Sequence, residues 1–222
     1  MWARFALMEL TYFFDVCSCW CALADDSLES VRGRYGVRIR VDWKIALINN
    51  GEPMVAGLPQ ELWYYDRCEA TTGRRFNHHW IEKPGQSTFV PNAVIHAARK
   101  LGKGSQVHHA VKSAGLERGE PILRREVALD VAVGASGLER RLLENAMDDP
   151  VTRAEISAWT AEFNSYRIDQ RPAFVLRSAI GDTAILSGLY RPEPIAAAID
   201  AMIADEDAYD RFAATHDSIP TP

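Results

Sequence analysis

The chain has no apolar run approaching the ~18 residues that a membrane-spanning helix needs, and its 222 residues hold only four cysteines. The first absence argues against a spanning segment. The second argues against a secreted fold stapled by disulfides, the more so because Cys17, Cys19 and Cys21 fall within five residues of one another. A basic excess is also missing. The formal net charge is −5 at pH 7, so neither a phosphate backbone nor an anionic membrane surface finds a matching field, and no nucleic-acid or membrane partner is expected. There is no repeat and no low-complexity stretch to suggest a solenoid or a disordered tail. The segment Met1–Met8 has one positive charge, no sustained apolar core and no small-residue cleavage site. It is therefore not expected to be a signal peptide, and Met8 is an alternative start with residues 1–7 as an extension. These absences together point to a cytoplasmic protein.

What is present suffices for one well-packed domain, or one domain carrying a large insertion, since 47% of the residues are hydrophobic and 25% charged. Residues 9–16 (ELTYFFDV) are aromatic-rich and read as a buried strand. Leu23, Leu28, Val31 and Tyr35 recur at helical spacing before Gly36, which is placed to end a helix. Residues 37–48 then begin with strand-like alternation. From Asn49 to Gln60 the composition turns to Asn, Gly and Pro and predicts a loop. Six helices are predicted beyond it, over 62–70, 92–101, 106–114, 124–133, 139–146 and 151–166. The β-pattern returns at 172–176 and 184–187, joined by a hairpin turn at Ile180–Thr183, and a last helix spans 192–204.

That order, βαβ, a helical block, then ββα, resembles the thioredoxin plan. It predicts an α/β fold whose mixed sheet comes from 9–60 and 167–216, with 61–166 as an all-helical insertion. Two separate domains are excluded on physical grounds, because neither β-half can cover its own sheet.

The chemistry is expected where the first strand passes into the first helix, at Cys17-Ser18-Cys19-Trp20-Cys21. Unpaired N–H groups and the positive end of the helix dipole favour an anion there, and a thiolate is such an anion. Trp20 offers a flat wall to a substrate. A proline that opens the returning strand, Pro172 after Arg171, is a candidate cis residue facing the cysteines.

These residues carry a family resemblance. Asp15-Val16-Cys17-Ser18-Cys19-Trp20-Cys21 resembles the Asp-x-x-Cys-x-Trp-Cys start of the DsbA-like proteins, in particular their cytoplasmic branch of disulfide isomerases. Further matches are Glu52-Pro53-Met54, residues 72–77 (TGRRFN), Ser87-Thr88, Ala97-Ala98-Arg99, Arg171-Pro172-Ala173-Phe174 and Ser187-Gly188. The resemblance implies thiol–disulfide exchange, with a first cysteine attacking and a second resolving the mixed disulfide. The sequence departs from the pattern at one place: the first cysteine position holds Ser18, and no Cys-x-x-Cys exists in the cluster. Redox work would then use Cys19 with Cys21, Cys17 with Cys21, or a single thiol with an external partner such as glutathione; Cys19 with Cys21 is the expected working pair, with Cys17 as a further resolving thiol.

A serine at that position is also similar to the kappa-class glutathione transferases and 2-hydroxychromene-2-carboxylate isomerases. That likeness implies a bound glutathione thiolate at Ser18, with Arg171 and Pro172 beside the tripeptide. Those relatives place an acidic residue shortly after the closing glycine, where this chain has Leu189-Tyr190-Arg191.

Three functions follow from these residues. The first is a thiol–disulfide oxidoreductase or isomerase acting on a small thiol or disulfide-bearing substrate. The second is a glutathione-dependent isomerase or transferase acting on a small aromatic or conjugated molecule. The third is a soft-metal module, which the Cys-x-Cys-x-Cys spacing favours less than paired cysteines would. No tightly bound cofactor is expected beyond glutathione or another low-molecular-weight thiol, and the composition carries no signal for oligomeric state. His78-His79 and His108-His109 read as surface or loop residues, because adjacent side chains diverge. His96 reads as a core-edge histidine, Cys68 as a packed residue, and Trp63-Tyr64-Tyr65 as core or pocket lining. Trp43-Lys44 is a weaker candidate for the border of the site, and Asp205-Glu206-Asp207 for a solvated helix end.

Overall fold

Seven residues, Met8–Phe14, form the strand that opens the parallel half of the sheet. The computed structural model describes residues 7–54, 57–81 and 85–216, so Met1 to Ala6, which bear on the choice of start, lie outside the described residues. Strand β1 (Met8–Phe14) leads into helix α1 (Cys19–Tyr35) and returns as β2 (Ile39–Ile45), parallel to β1 with Met8 opposite Ile39. Strands β3 (Ala173–Arg177) and β4 (Thr183–Ser187) complete an antiparallel half, giving the order β2-β1-β3-β4.

The central strands β1 and β3 are largely buried on both faces, and the period-2 geometry of a strand sorts the side chains. Leu10, Tyr12 and Phe14 of β1, with Phe174 and Leu176 of β3, face the core shared with α1 and α8 (Pro192–Ala213). Phe13, Ala173 and Val175 face the opposite side with Phe163. Tyr12 is the register partner of Phe174, and their rings stack at 5.1 Å. Such pairs add about 0.5–1.5 kcal/mol beyond the area they bury.

Between the halves lie α2 (Gly57–Thr72), α3 (Phe89–Lys100), α4 (Gly104–Lys112), α5 (Arg125–Ser136), α6 (Arg140–Asp148) and α7 (Pro150–Ser165). The six helices correspond to the six predicted segments. The buried core runs without a break from the sheet through α2–α6. Helix α7 carries Phe163 onto the far face of the sheet, and its Thr160 hydroxyl accepts the Leu47 N–H at 3.2 Å.

Three boundaries differ from the sequence reading, the first being that helix α2 begins at Gly57, inside the loop expected over 49–60. Strand β2 is shorter than 37–48, because Gly36–Arg38 and Ile48–Gly51 are each single 3-10 turns. In the second turn Asn49 and Asn50 take φ of 50° and 57°, a left-handed conformation that asparagine tolerates better than most residues. The last helix continues past Ala204 to Ala213, so Asp205-Glu206-Asp207 are mid-helix. Glu206 accepts the Ala179 N–H at 2.7 Å and thereby pins the β3–β4 hairpin.

Candidate functional site

The site is organised by a carboxylate. Asp15, at the end of β1, is fully buried and accepts four hydrogen bonds. Its donors are Cys17 N–H (2.9 Å), Ile48 N–H (2.8 Å), the Thr88 hydroxyl (2.6 Å) and the Asn92 amide (2.9 Å). Asn92 returns a bond through its own carbonyl oxygen, which accepts Val16 N–H at 3.2 Å. One side chain thus ties together the β1–α1 turn, the end of β2 and the start of α3.

The turn that Asp15 holds delivers Ser18 to the N-cap of α1. Its main chain is extended (φ −84°, ψ 119°) and its hydroxyl accepts Cys21 N–H at 3.3 Å. Serine suits a cap because its short oxygen satisfies an N–H that the first helical turn leaves open. Ser18 is half-buried and opens into a cavity of about 140 Å³, bounded by Cys17, Cys19 and Trp20 on one side. Glu61, Tyr64 and Tyr65 of α2 bound it on another, and Asp169, Gln170 and Arg171 on a third. The Arg171–Pro172 peptide bond is cis, and Pro172 C=O accepts Gly188 N–H at 2.8 Å.

The three clustered cysteines are not where the expected reactivity puts them. All are buried, and their thiols titrate higher than a free cysteine, not lower. Burial raises Cys17, reinforced by Asp15. Cys19 is raised first by its hydrogen bond to the Cys68 thiol and then by burial. Burial pushes Cys21 up to about 12, outweighing the Ser18 hydroxyl that favours its thiolate. The physical reason is positional. Only the N-cap side chain sits at the helix mouth, and that position is Ser18; one residue on, Cys19 turns inward, and Cys21 follows a turn later.

Nor do Cys19 and Cys21 form the expected pair. Residues two apart on a helix face different ways. The Cys19 sulfur lies 3.9 Å from the Tyr64 carbonyl and against Cys68, whereas the Cys21 thiol lies at Ser18. The Cys17 carbonyl accepts the Tyr65 hydroxyl at 3.0 Å, and Tyr65 accepts from the Trp80 indole at 2.9 Å. All four cysteines are free.

Arg171 lines the cavity, but its guanidinium is spent on the main chain. It donates to Ala46 O, to Leu47 O at 2.7 Å and to Asp169 O at 3.5 Å, over the Phe163 ring. Its role toward a ligand is to fix the wall, leaving the neighbouring backbone as the contact surface. Trp20 is half-buried between Tyr190, at 5.4 Å, and the Arg67 guanidinium. Of the aromatic run, Tyr65 is core, Tyr64 lines the cavity and Trp63 is exposed.

Sequence reasoning missed Glu61. It is buried, faces the cavity, and burial with the nearby Asp15 raises its carboxyl from 4.5 to about 7. A carboxyl that prefers its neutral form in the fold binds more protons there than when unfolded. Its contribution is therefore complete below pH ~4.5, shrinks as pH rises toward 7 and is gone above it, a span worth up to about 3 kcal/mol. Glu61→Gln is expected to flatten that dependence and to make the variant more stable than the parent at pH 8. Urea melts of both proteins between pH 4.5 and 8 check this, and parallel pH curves would refute it.

The histidines divide. His78 is half-buried and His79 exposed, and His96 is buried with its Nε2 2.7 Å from Glu155. His108, on α4, is half-buried. It stacks on Phe14 at 4.6 Å, 3.5 Å from Asp25, and burial lowers its pKa. Trp43 borders that second region, on the far side of α1, and not the Ser18 cavity. Among the described residues, no group of three or more His, Cys, Asp or Glu side chains converges to hold a metal ion.

Comparison with known proteins bears on this geometry. The model of the DSBA-like thioredoxin domain matches residues 9–200. The chain belongs to that family. DsbA-like proteins are thiol–disulfide oxidoreductases, and the chain shares their thioredoxin fold. Among solved structures it is similar to a proposed disulfide isomerase from Nitrosomonas europaea, at 18% identity and TM-score 0.75, with 90% of this chain and 98% of the other covered. It is also similar to a proposed DsbA oxidoreductase from Streptomyces coelicolor, at 18% identity and TM-score 0.69, with 97% and 94% covered. A third is the cytosolic disulfide reductase DsbM from Pseudomonas aeruginosa, solved with GSH, at 18% identity and TM-score 0.66, covering 88% and 99%. No curated protein matches the chain. Among the described residues, no helix of this DsbA-like chain is long and apolar enough to cross a membrane.

Proposed function

We propose that this DsbA-like protein exchanges thiols and disulfides with a small substrate of the glutathione class, whose sulfur meets Ser18 and Cys19 in the cavity at the head of α1. The observation that carries the reading is the placement of Ser18. A hydroxyl occupies the N-cap, where the helix end favours an anion, directly beside a cavity lined by thiols and the Asp169–Arg171 backbone. A substrate thiolate bound there is stabilised by the Ser18 O–H, and Glu61, half-protonated near neutral pH, supplies or takes the proton as the sulfur changes state. At about 140 Å³ the cavity takes the sulfur-bearing end of such a molecule, and the remainder lies on the rim near Trp20. The reaction belongs in the cytosol, where thiols are kept reduced. The four free cysteines and the cytosolic relative with GSH support that assignment.

Reduced glutathione at ten times its dissociation constant is expected to add about 1.4 kcal/mol to stability, or roughly 3–5 °C in Tm for a chain of this length. Ser18→Ala should lose most of that shift. No shift at millimolar glutathione would sink the reading. Ser18 itself favours a second one, a glutathione-dependent isomerase or transferase in which the bound thiolate acts without electron transfer. Thiol trapping after turnover separates the two, because only exchange leaves the chain's cysteines oxidised.

A further inference from the structure

We propose that the redox pair of this chain is Cys19 with Cys68, a dithiol bridging the head of α1 to the middle of α2, in place of the missing Cys-x-x-Cys. The two residues are far apart in sequence, yet their thiols interact directly. The Cys19 sulfur lies 3.9 Å from the Tyr64 carbonyl. Cys68 is one helical turn beyond Tyr64, and helical side chains lean back toward the preceding turn, so its sulfur is aimed at the same place.

The two members have different access. Cys19 lines the Ser18 cavity, whereas Cys68 lies behind it and is fully buried. Cys68 is lowered by its hydrogen bond with the Cys19 thiol, and the Thr72 side chain and Arg74 lower it further. Cys17 and Cys21 have no such partner on α2. Tyr65 takes the Cys17 carbonyl, and Ser18 takes the Cys21 thiol.

The exchange then runs in two balanced steps. The Cys19 thiol, giving up its proton, attacks a small disulfide RSSR and forms Cys19-S-S-R, releasing RSH. Cys68 then gives up its proton and attacks the Cys19 sulfur as a thiolate, forming the Cys19–Cys68 disulfide and releasing a second RS⁻, which takes up that proton. The net reaction is two protein thiols oxidised and one RSSR reduced to two RSH; two small thiols reverse it.

This rests on the proposed function only for the identity of RSSR, so the test has two arms. The folded chain is oxidised either with glutathione disulfide or with diamide, a diazene that takes two hydrogens from any adjacent dithiol. Remaining thiols are then alkylated and the peptides mapped. Both arms are expected to remove two free thiols and to join the peptides holding Cys19 and Cys68. Cys68→Ala is expected to hold glutathione on Cys19 as a lasting mixed disulfide. A diamide link without a glutathione link would keep the pair and discard glutathione as substrate. A link through Cys17 or Cys21, or wild-type Cys19 that stays glutathionylated with no link in either arm, would overturn the pair.

Discussion

Ser18→Cys is expected to give a protein whose native cysteines are all buried a fast-reacting thiol, raising its alkylation rate by iodoacetamide at pH 7 at least tenfold over any native cysteine. The substitution changes oxygen to sulfur at the N-cap, where the side chain already accepts Cys21 N–H. It therefore places sulfur at the mouth of the helix, the one position the native cysteines avoid. Capping thiolates have pKa values of roughly 3.5–7.5 against ~8.5 for a free cysteine, so the reactive fraction at pH 7 rises from ~3% to well over a fifth. The three native thiols of the cluster titrate the other way, Cys17 and Cys21 because they are buried and Cys19 through its bond to Cys68 and then its burial. The variant also restores the spacing of a two-cysteine motif with Cys21. Since burial holds Cys21 at about 12, it resolves slowly, and the introduced thiol should accumulate as a mixed disulfide before turnover of an insulin-type substrate rises. A thiol at this position that alkylates no faster than the native ones, in a variant that melts like the parent, would remove the N-cap from the mechanism.

The same comparison shows what could be read in the sequence and what could not. Strands and helices were legible where one face is apolar and a breaker follows. Gly36 ends α1 at a φ of 52°, and Asp149-Pro150 starts α7 with the Asp149 side chain capping Val151 N–H. Ser18 was legible because the DsbA-like pattern marks that position by its distance from Asp15. The reactivity of the cysteines was not. Whether a helix-start thiol faces the cap or the core turns on a shift of one residue, and here that shift separates Ser18 from Cys19. Cys68 and Glu61 were silent for a different reason. Each sits on α2 in an ordinary helical context, and its meaning arises only when α2 packs against the head of α1. A carboxyl raised to about 7 and a thiol pair are products of that contact, and nothing local encodes them.

Asp15 carries the largest expected loss. Replacing it by alanine removes the acceptor for Cys17 N–H, Ile48 N–H, the Thr88 hydroxyl and the Asn92 amide at once, in a place sealed from water. A buried donor left without a partner costs about 1–3 kcal/mol. Partial relaxation keeps four from adding fully, and a loss of about 4 kcal/mol or more is expected, a large share of the 5–15 kcal/mol that holds a typical domain together. Asp15→Asn keeps one acceptor oxygen but turns an NH2 toward Ile48 N–H or Cys17 N–H, donor against donor, and should cost about half as much. Denaturant midpoints at constant m measure both. The effect should also extend to chemistry. Thr88 and Asn92 bind the turn to α3 through this carboxylate, so a loosened turn exposes sulfurs that are now buried, and Cys17 and Cys19 should alkylate faster in Asp15→Asn than in the parent. A stable Asp15→Ala variant, within about 1 kcal/mol of the parent and with thiols still shielded, would mean that α1 and α2 alone hold the sulfurs in place.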